Sequence, residues 1–281
     1  MKKPLVSIII PAFNEEKVIE RLLKSIKEQS YTNIEIIVID DGSSDKTVEI
    51  AKKYTKNVYK RTHAERSVQR NFGARKSKGI ILVFLDADME LTVKVIEDVV
   101  EGIKRYKALI IPEKTIGAGY IQNVRRFERE MYEKDETIEV ARVFNRNVFF
   151  EYKGYDEELT GPEDYDLPHR ISKKYKIGRT KKYLMHNEQR INLLKLLKKR
   201  HYYANKGALY AQKHPELVLS QGNLLFRKAY LRHWKKFIAR PILGFSFIFI
   251  KSLEAIAAIL GFTKAVGIRG FIHTLRLALS S

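Results

Sequence analysis

Short apolar runs alternate with amphipathic segments along the first part of the chain. Continuous runs rich in β-branched residues predict strands buried on both faces at residues 6–10, 34–39, 81–85 and 108–111. Between them, apolar residues recur at helical spacing, as in residues 18–26, 67–78 and 92–106. Strand–helix–strand alternation with short connections predicts an α/β fold with a mostly parallel sheet flanked by helices.

The pattern changes in the second part of the chain. Residues 140–150 predict an extended segment, and Pro162 opens a predicted helix. Residues 121–133, 192–213 and 223–239 predict charged or basic amphipathic helices. We therefore expect the sheet domain to be followed by a basic helical C-terminal tail.

The net charge of +20 is unevenly placed, since residues 170–281 hold 24 Lys and Arg but three acidic residues. Such asymmetry predicts a polyanionic partner, either nucleic acid or an anionic membrane surface. Residues 237–262 are apolar but interrupted by Arg240, Pro241, Lys251 and Glu254, so their uncharged runs are shorter than the roughly 20 residues of a spanning helix. We predict peripheral or monotopic attachment at the cytoplasmic membrane face. The alternatives are a buried C-terminal helix pair and a nucleic-acid-binding module that uses the basic half.

Acidic motifs follow several predicted strands. They are PAFNEE at residues 11–16, DDGSSD at 40–45, DAD at 86–88 and GPEDYD at 161–166. Ligands of open α/β sheets bind at the carboxyl ends of the strands. Asp86 and Asp88 are two residues apart in extended chain and point to one side, where their oxygens suit a divalent cation.

Each motif alone has a simpler explanation. A turn can end a strand with aspartates, and acids just after Pro162 stabilise any helix dipole. A nucleotidyltransferase would need a glycine-rich, basic loop after the first strand, and PAFNEE is neither glycine-rich nor basic. The absence of cysteine excludes disulfides and thiolate metal sites.

In this order the four motifs resemble the family 2 glycosyltransferases with the GT-A fold, over residues 6–200. The resemblance implies inverting transfer of a sugar from a nucleotide-sugar, usually a UDP-sugar, to a hydroxyl or phosphate acceptor with Mg²⁺ or Mn²⁺. It divides the chain into a nucleotide-sugar-binding half (1–115), an acceptor-binding half (116–220) and membrane-associating helices (221–281). The acceptor is then expected to be lipid-linked or a glycan, and no nucleic-acid partner is expected.

The resemblance also implies roles for individual residues. Asp164 would be the general base and Glu163 would contact substrate. Asp88 would bind the metal, with Asp86 facing the metal or the ribose and His186 contacting the metal or the diphosphate. The nucleoside would be held by Pro11, Ala12, Phe13, Glu15, Asp41 and either Arg66 or Arg70. The chain lacks the Gln-x-x-Arg-Trp set of processive synthases, which favours addition of single sugars.

Overall fold

The computed structural model of the protein describes residues 3–133, 135, 138–187, 192–222, 225 and 227–280. The chain folds into two compact units. Unit 1 comprises Met1–Lys114, Val140–Glu158 and Glu163–Asn187. Unit 2 comprises Thr115–Glu139, Leu159–Pro162 and Glu188–Ser281. Neither unit is therefore continuous in sequence.

A seven-stranded sheet is the centre of unit 1, in the order β3-β2-β1-β4-β8-β6-β9. Its strands are β1 (Val6–Ala12), β2 (Ile34–Asp40), β3 (Val58–Lys60), β4 (Ile81–Phe84), β6 (Ala108–Ile110), β8 (Ala141–Asn145) and β9 (Ile177–Arg179). All neighbouring pairs are parallel except those of β8, which runs antiparallel to β4 and β6. The predicted mostly parallel α/β sheet is confirmed.

A second, three-stranded sheet has the order β5-β10-β7. Its strands are β5 (Met89–Leu91), β7 (Glu113–Ile116) and β10 (Leu184–Asn187). β5 starts one residue after Asp88 and pairs antiparallel with β10, so that Met89 lies opposite His186. These strands were too short to stand out in the sequence pattern, but the pairing of β5 with β10 joins two segments of unit 1 that are distant in sequence.

The predicted extended segment at 140–150 is wrong beyond residue 145. The strand β8 ends at Asn145, and helix α6 (Arg146–Glu151) begins at once. Asn145 Oδ1 accepts hydrogen bonds from the backbone N–H groups of Asn147 and Val148. Because this side chain satisfies free amides of the first turn, it caps a helix where the apolar residues alone suggested a strand.

Helices cover the large sheet of unit 1. Besides α6 they are α1 (Ile19–Lys27), α2 (Thr47–Tyr54), α3 (Arg66–Lys76), α4 (Val95–Gly102) and α7 (Glu163–Ser172). Alternate residues of the central strands enter two separate cores, as Ile8 and Ile10 do in one and Ile9 does in the other. This alternation is what the continuous apolar runs predicted for strands buried on both faces.

Helix α3 lies unusually close to the sheet at Gly73. A Cβ atom on Gly73 would lie 2.4 Å from Cγ2 of Ile9 and 3.2 Å from Cγ1 of Ile39. Residues three apart in a helix share a face. The close approach at Gly73 therefore also brings Arg70 down onto the sheet, where its side chain is fully buried.

Unit 2 is helical. It contains α5 (Tyr120–Tyr132), α8 (Leu193–Lys206), α9 (Ala208–Lys213), α10 (Pro215–Gly222), α11 (Lys228–Arg232), α12 (Trp234–Ala239) and α13 (Pro241–Ser280). The two long basic helices expected at 192–213 and 223–239 are each divided, at Gly207 and at His233. Residues 223, 224 and 226 of the second prediction lie outside the described residues.

Helix α13 packs along α8 and α5. Phe247 and Ile250 join a core with Val124 and Phe127 of α5. A Cβ atom on Gly261 would lie 2.2 Å from the carbonyl oxygen of His201, so α8 and α13 are in backbone contact there. The helix is broken at Gly267, which has φ 72° and ψ 169°.

By length and composition alone, α13 could cross a membrane. It is the one helix of the described residues that meets this test.

Candidate active site

The loops that follow β1 and β2 are joined by hydrogen bonds. The backbone N–H of Asn14 donates to Ser43 Oγ at 2.9 Å, and Asn14 Oδ1 accepts from the N–H of Ser44 at 2.9 Å. The N–H of Glu15 donates to Thr47 Oγ1 at 2.8 Å. Asn14 has φ 54°, a left-handed conformation that asparagine tolerates better than most residues. PAFNEE and DDGSSD therefore form one continuous rim at the carboxyl ends of these strands.

Asp41 is held on this rim by three donors. Its Oδ1 accepts from the N–H of Ala64 at 2.8 Å and also from Gln69 Nε2. Its Oδ2 lies 2.7 Å from Nδ1 of His63. The His63 ring contacts the half-exposed ring of Phe13, with centroids 5.0 Å apart. A flat aromatic surface and an anchored carboxylate thus lie side by side.

Arg70 is the centre of a buried ion cluster. Its Nη2 donates to Asp86 Oδ1 at 2.7 Å, and its Nη1 contacts Asp164 Oδ1 at 2.6 Å and Glu163 Oε1 at 3.3 Å. Burial and the neighbouring Asp164 raise the pKa of Glu163, whereas Arg70 opposes the increase. The hydrogen bond to Asp164 uses Oδ1, and Oδ2 has no hydrogen-bond partner among the described residues.

Asp88 and His186 form a pair suited to a divalent metal. Asp88 Oδ2 lies 3.1 Å from His186 Nε2. This is close to the separation of about 3 Å expected for adjacent ligands of a small divalent cation. Asp88 Oδ1 is buried without a hydrogen-bond partner in the described part of the chain, so a carboxylate oxygen is available. The residues present fit such a metal.

His186 is also hydrogen-bonded on its other side, because Nδ1 lies 3.2 Å from Glu113 Oε2. Burial lowers the pKa of His186, but the hydrogen bonds to Asp88 and Glu113 outweigh it and raise the pKa to about 9. Two carboxylates therefore hold the ring in a fixed orientation.

Asp86 is paired with two arginines. Arg142 Nη1 donates to Asp86 Oδ2 at 3.3 Å, opposite the contact with Arg70. Burial would raise the pKa of Asp86, but both guanidinium groups hold it well below the usual range. Asp86 thus stays ionised with each oxygen engaged by an arginine.

The structure brings most of the sequence-predicted residues to one edge of unit 1. Pro11 and Ala12 end β1, and Glu15 lies on the rim. Of the two candidate arginines, Arg70 is enclosed by carboxylates, whereas Arg66 is 44% exposed and lies 3.9 Å from Glu163. Sequence reasoning missed His63, Gln69, Glu113 and Arg142. Two signals in the sequence could have indicated Arg142 and Glu113. Arg142 is an arginine inside a buried strand, and Glu113 is a glutamate just after the apolar run of β6.

Comparison with known proteins identifies the family of the chain. Residues 7–155 match the family described as "Glycosyl transferase family 2". An uncharacterized glycosyltransferase of Haemophilus influenzae is 40% identical over 94 residues, which is 31% of this chain and 38% of that protein. The poly(ribitol-phosphate) beta-N-acetylglucosaminyltransferase TarS of Staphylococcus aureus is 27% identical over 212 residues, 71% of this chain and 35% of that protein. The matched regions thus span well under half the length of these relatives.

Solved structures show the same fold at low identity. TarS 1–349 in complex with UDP-GlcNAc has a TM-score of 0.62 at 17% identity, covering 98% of this chain and 88% of that chain. The mannosyltransferase PcManGT of Pyrobaculum calidifontis, in complex with GDP-Man and Mn²⁺, has a TM-score of 0.66 at 17% identity, covering 93% and 88%. The fold is GT-A-like, as the resemblance implied. Because the family match covers more than half of its residues, the chain belongs to glycosyl transferase family 2.

Proposed function

We propose that the protein transfers a sugar with inversion from a UDP-sugar to a hydroxyl or phosphate acceptor, with Mg²⁺ or Mn²⁺. The observation that carries this proposal is the ion cluster in which Arg70 joins Asp86 of the DAD motif to Asp164 of the GPEDYD motif. TarS and PcManGT were solved with a nucleotide-sugar, and PcManGT also with Mn²⁺, which supports the donor class and the metal.

Asp164 is the proposed general base. Its Oδ2 would accept the proton of the acceptor hydroxyl as that oxygen bonds to the anomeric carbon and the bond from this carbon to the diphosphate oxygen breaks. The ion pair from Arg70 to Oδ1 orients the carboxylate, and Glu163 beside it contacts the same guanidinium.

Asp88 and His186 are the proposed metal ligands. The metal, when bound, neutralises the charge that develops on the leaving nucleoside diphosphate. Asp86 is paired with Arg70 and Arg142, which supports a role in holding the site together or in contacting the ribose rather than in direct ligation.

The hydrogen bonds of Asp41 favour a uridine nucleotide over a guanosine nucleotide. Each carboxylate oxygen accepts about two hydrogen bonds, and Ala64 and Gln69 already fill Oδ1. With His63 on Oδ2, one acceptor position is left. Uracil presents the single donor N3–H, whereas guanine presents two adjacent donors that would need both oxygens. Phe13 offers an aromatic surface for the base.

Calorimetric titration of UDP and GDP, with and without Mn²⁺, tests the proposal. We expect UDP to bind in a metal-dependent manner, and Asp88→Ala to abolish the dependence on metal. Asp164→Asn should keep nucleotide binding but lower sugar transfer or donor hydrolysis by about 10²-fold or more. Glu49→Ala, which removes a surface ion pair of 4.0 Å with Lys53, is the control.

If neither nucleotide binds to the wild type, the transferase proposal fails. The basic half would then be titrated with DNA and RNA at several salt concentrations, since steep salt dependence is the signature of nucleic-acid binding.

We further propose that unit 2 lies on the cytoplasmic membrane surface and that the acceptor is lipid-linked. Two charged residues of α13 point into the unit, where Lys251 Nζ lies 2.6 Å from Glu128 Oε1 and Arg200 Nη2 donates to Glu254 Oε1 at 3.1 Å. Its opposite face exposes apolar side chains at helical spacing, namely Ile242, Phe245, Phe249, Ile256, Ile259 and Leu260. One face of α13 thus packs on the polar helix α8, and the other face is apolar. Such a helix is suited to lie in the plane of an anionic membrane interface rather than to cross the membrane.

Sedimentation with vesicles tests this location. The double substitution Phe245→Asp and Phe249→Asp should weaken binding to phosphatidylglycerol vesicles by about tenfold or more, because two exposed rings lose their apolar burial. Val93→Asp, at a similarly exposed position in unit 1, should leave binding unchanged. Equal binding of wild type and double variant would refute the surface, and resistance of the wild type to carbonate extraction would refute the in-plane orientation.

A further inference from the structure

A row of alternating charges runs through the site of unit 1. Each member contacts the next at 2.6–3.3 Å through a side-chain hydrogen bond or ion pair. The charged row consists of His186, Glu113, Arg142, Asp86, Arg70 and Asp164. Glu113 and Arg142 are the members to which the proposed reaction gives no role.

Glu113 determines which nitrogen of His186 can face a metal. Its Oε2 lies 3.2 Å from His186 Nδ1, while His186 Nε2 points to Asp88. A carboxylate can only accept, so Nδ1 must carry a hydrogen and donate it to Glu113. Nε2 likewise donates to Asp88 while no metal is bound, and it is the nitrogen that would lose its hydrogen to a metal shared with Asp88, since Nδ1 stays bonded to Glu113. Carboxylates that hold metal-binding histidines in this way fix both tautomer and ring orientation.

Arg142 in turn fixes Glu113. Its Nε donates to Glu113 Oε1 at 2.8 Å, and its Nη1 donates to Asp86 Oδ2 at 3.3 Å. Arg142 lies on β8, which is paired on one side with β4 and on the other with β6. The strand before Asp86 and the strand before Glu113 are therefore the two neighbours of β8, and the 9%-exposed side chain of Arg142 bridges their ends.

We propose that Glu113, held by Arg142, is a positioning residue that orients His186 for a divalent metal shared with Asp88. The inference rests on the proposed function, because it assigns a new residue to the same metal site. Glu113 acts through His186 and does not itself bind the metal, since its Oε1 is held by Arg142 and its Oε2 by His186.

The test measures Mn²⁺ affinity directly, from the electron paramagnetic resonance signal of free Mn²⁺ in the presence of saturating UDP. Glu113→Ala should raise the Kd for Mn²⁺ by roughly 10–100-fold, the usual effect of losing such a partner. Glu113→Gln keeps an acceptor oxygen and the side-chain volume, so its Kd should lie between those of Glu113→Ala and wild type. Glu151→Ala, which removes a carboxylate 2.9 Å from Lys174 on the same unit, is the control.

A double-substitution cycle separates positioning from ligation. If Glu113 acts through His186, Glu113→Ala combined with His186→Ala should bind Mn²⁺ no more weakly than His186→Ala alone. Additive losses would mean that Glu113 ligates the metal and would overturn the inference. Unchanged Mn²⁺ affinity in folded Glu113→Ala and Glu113→Gln would overturn it as well. Either result leaves the proposed function standing as long as the wild type binds Mn²⁺ and UDP.

Discussion

Arg70→Met should be among the most destabilising single substitutions in unit 1. The side chain is fully buried and contacts three carboxylates, of which Glu163 is 1% exposed, Asp164 16% and Asp86 21%. Removing one partner of a buried ion pair typically costs about 3–5 kcal/mol, because the other charge stays buried without that partner. Methionine fills much of the volume, so the loss reports on charge more than on a cavity.

The pH dependence of this loss has a definite sign. Burial and Asp164 already raise the pKa of Glu163, and loss of the guanidinium should raise it further. A raised folded-state pKa favours the folded protein below the unfolded pKa and disfavours it as pH increases. Arg70 also helps to lower the pKa of Asp86, so the contribution of Asp86 is lost only at still lower pH. The difference in free energy of unfolding between wild type and Arg70→Met should therefore shrink as pH falls from 7 toward about 4.

Urea denaturation followed by far-ultraviolet circular dichroism measures both effects. Arg75→Met on the same helix is the control, since Arg75 is 54% exposed and its acidic neighbour Glu157 is 3.9 Å away. Exposed pairs of this kind contribute about 0–1 kcal/mol. If Arg70→Met and Arg75→Met were equally stable, or if the cost at Arg70 did not change with pH, the electrostatic reasoning would be refuted.

Three further predictions concern packing, charge and backbone. Gly73→Ala should lower the free energy of unfolding by about 1 kcal/mol. The added methyl group gains about 1 kcal/mol in helix propensity, but its contact with Ile9 costs about 1–3 kcal/mol of strain. A variant more stable than the wild type would contradict the close approach of α3 to the sheet. Burial would raise the pKa of Glu128, but Arg125 and Lys251 hold it well below its usual 4.5, so its contribution to stability is present above that pH and lost as pH falls. The stability of Glu128→Gln should therefore fall less steeply with decreasing pH than that of the wild type. Identical acid unfolding curves of the two proteins would contradict this prediction. Gly267→Ala should lower the free energy of unfolding by about 1–2 kcal/mol because of the positive φ, although no atom lies within 4 Å of the added Cβ. Thermal unfolding measures this loss, with Gly244→Ala as the comparison at a helical position.

Local sequence was sufficient for the central strands and for the residues that follow them. Five of the six residues 34–39 and all five residues 81–85 are apolar, so both the strands and the carboxylates that follow them could be predicted. Antiparallel β8 could not, because a five-residue strand followed at once by a capped helix has the same apolar content as one longer strand. Glu113 and Arg142 were missed for another reason. Their partners are 29 to 73 residues away, and such a pairing depends on strand order rather than on spacing.

The helical tail shows a similar limit. Its apolar and basic composition predicted an amphipathic surface, and in the sequence alone Lys251 and Glu254 interrupt that surface. In the structure both are buried and paired, so they interrupt the inner face alone. The length of an uncharged run therefore underestimates how continuous the exposed apolar face is.

The discontinuity of unit 1 sets an order on synthesis. The rim formed by PAFNEE and DDGSSD is complete once α3 has been made, but Asp164 and His186 follow only after the segment Thr115–Glu139, which belongs to the other unit, has been translated. Chains emerge from the ribosome N-terminus first, at about 5–20 residues per second. Arg70 and Asp86 must consequently wait several seconds for the carboxylate at 164 and the histidine at 186. During that interval Arg70 has one of its three carboxylate partners, Asp86, and the full ion cluster can form only after α7 has been made.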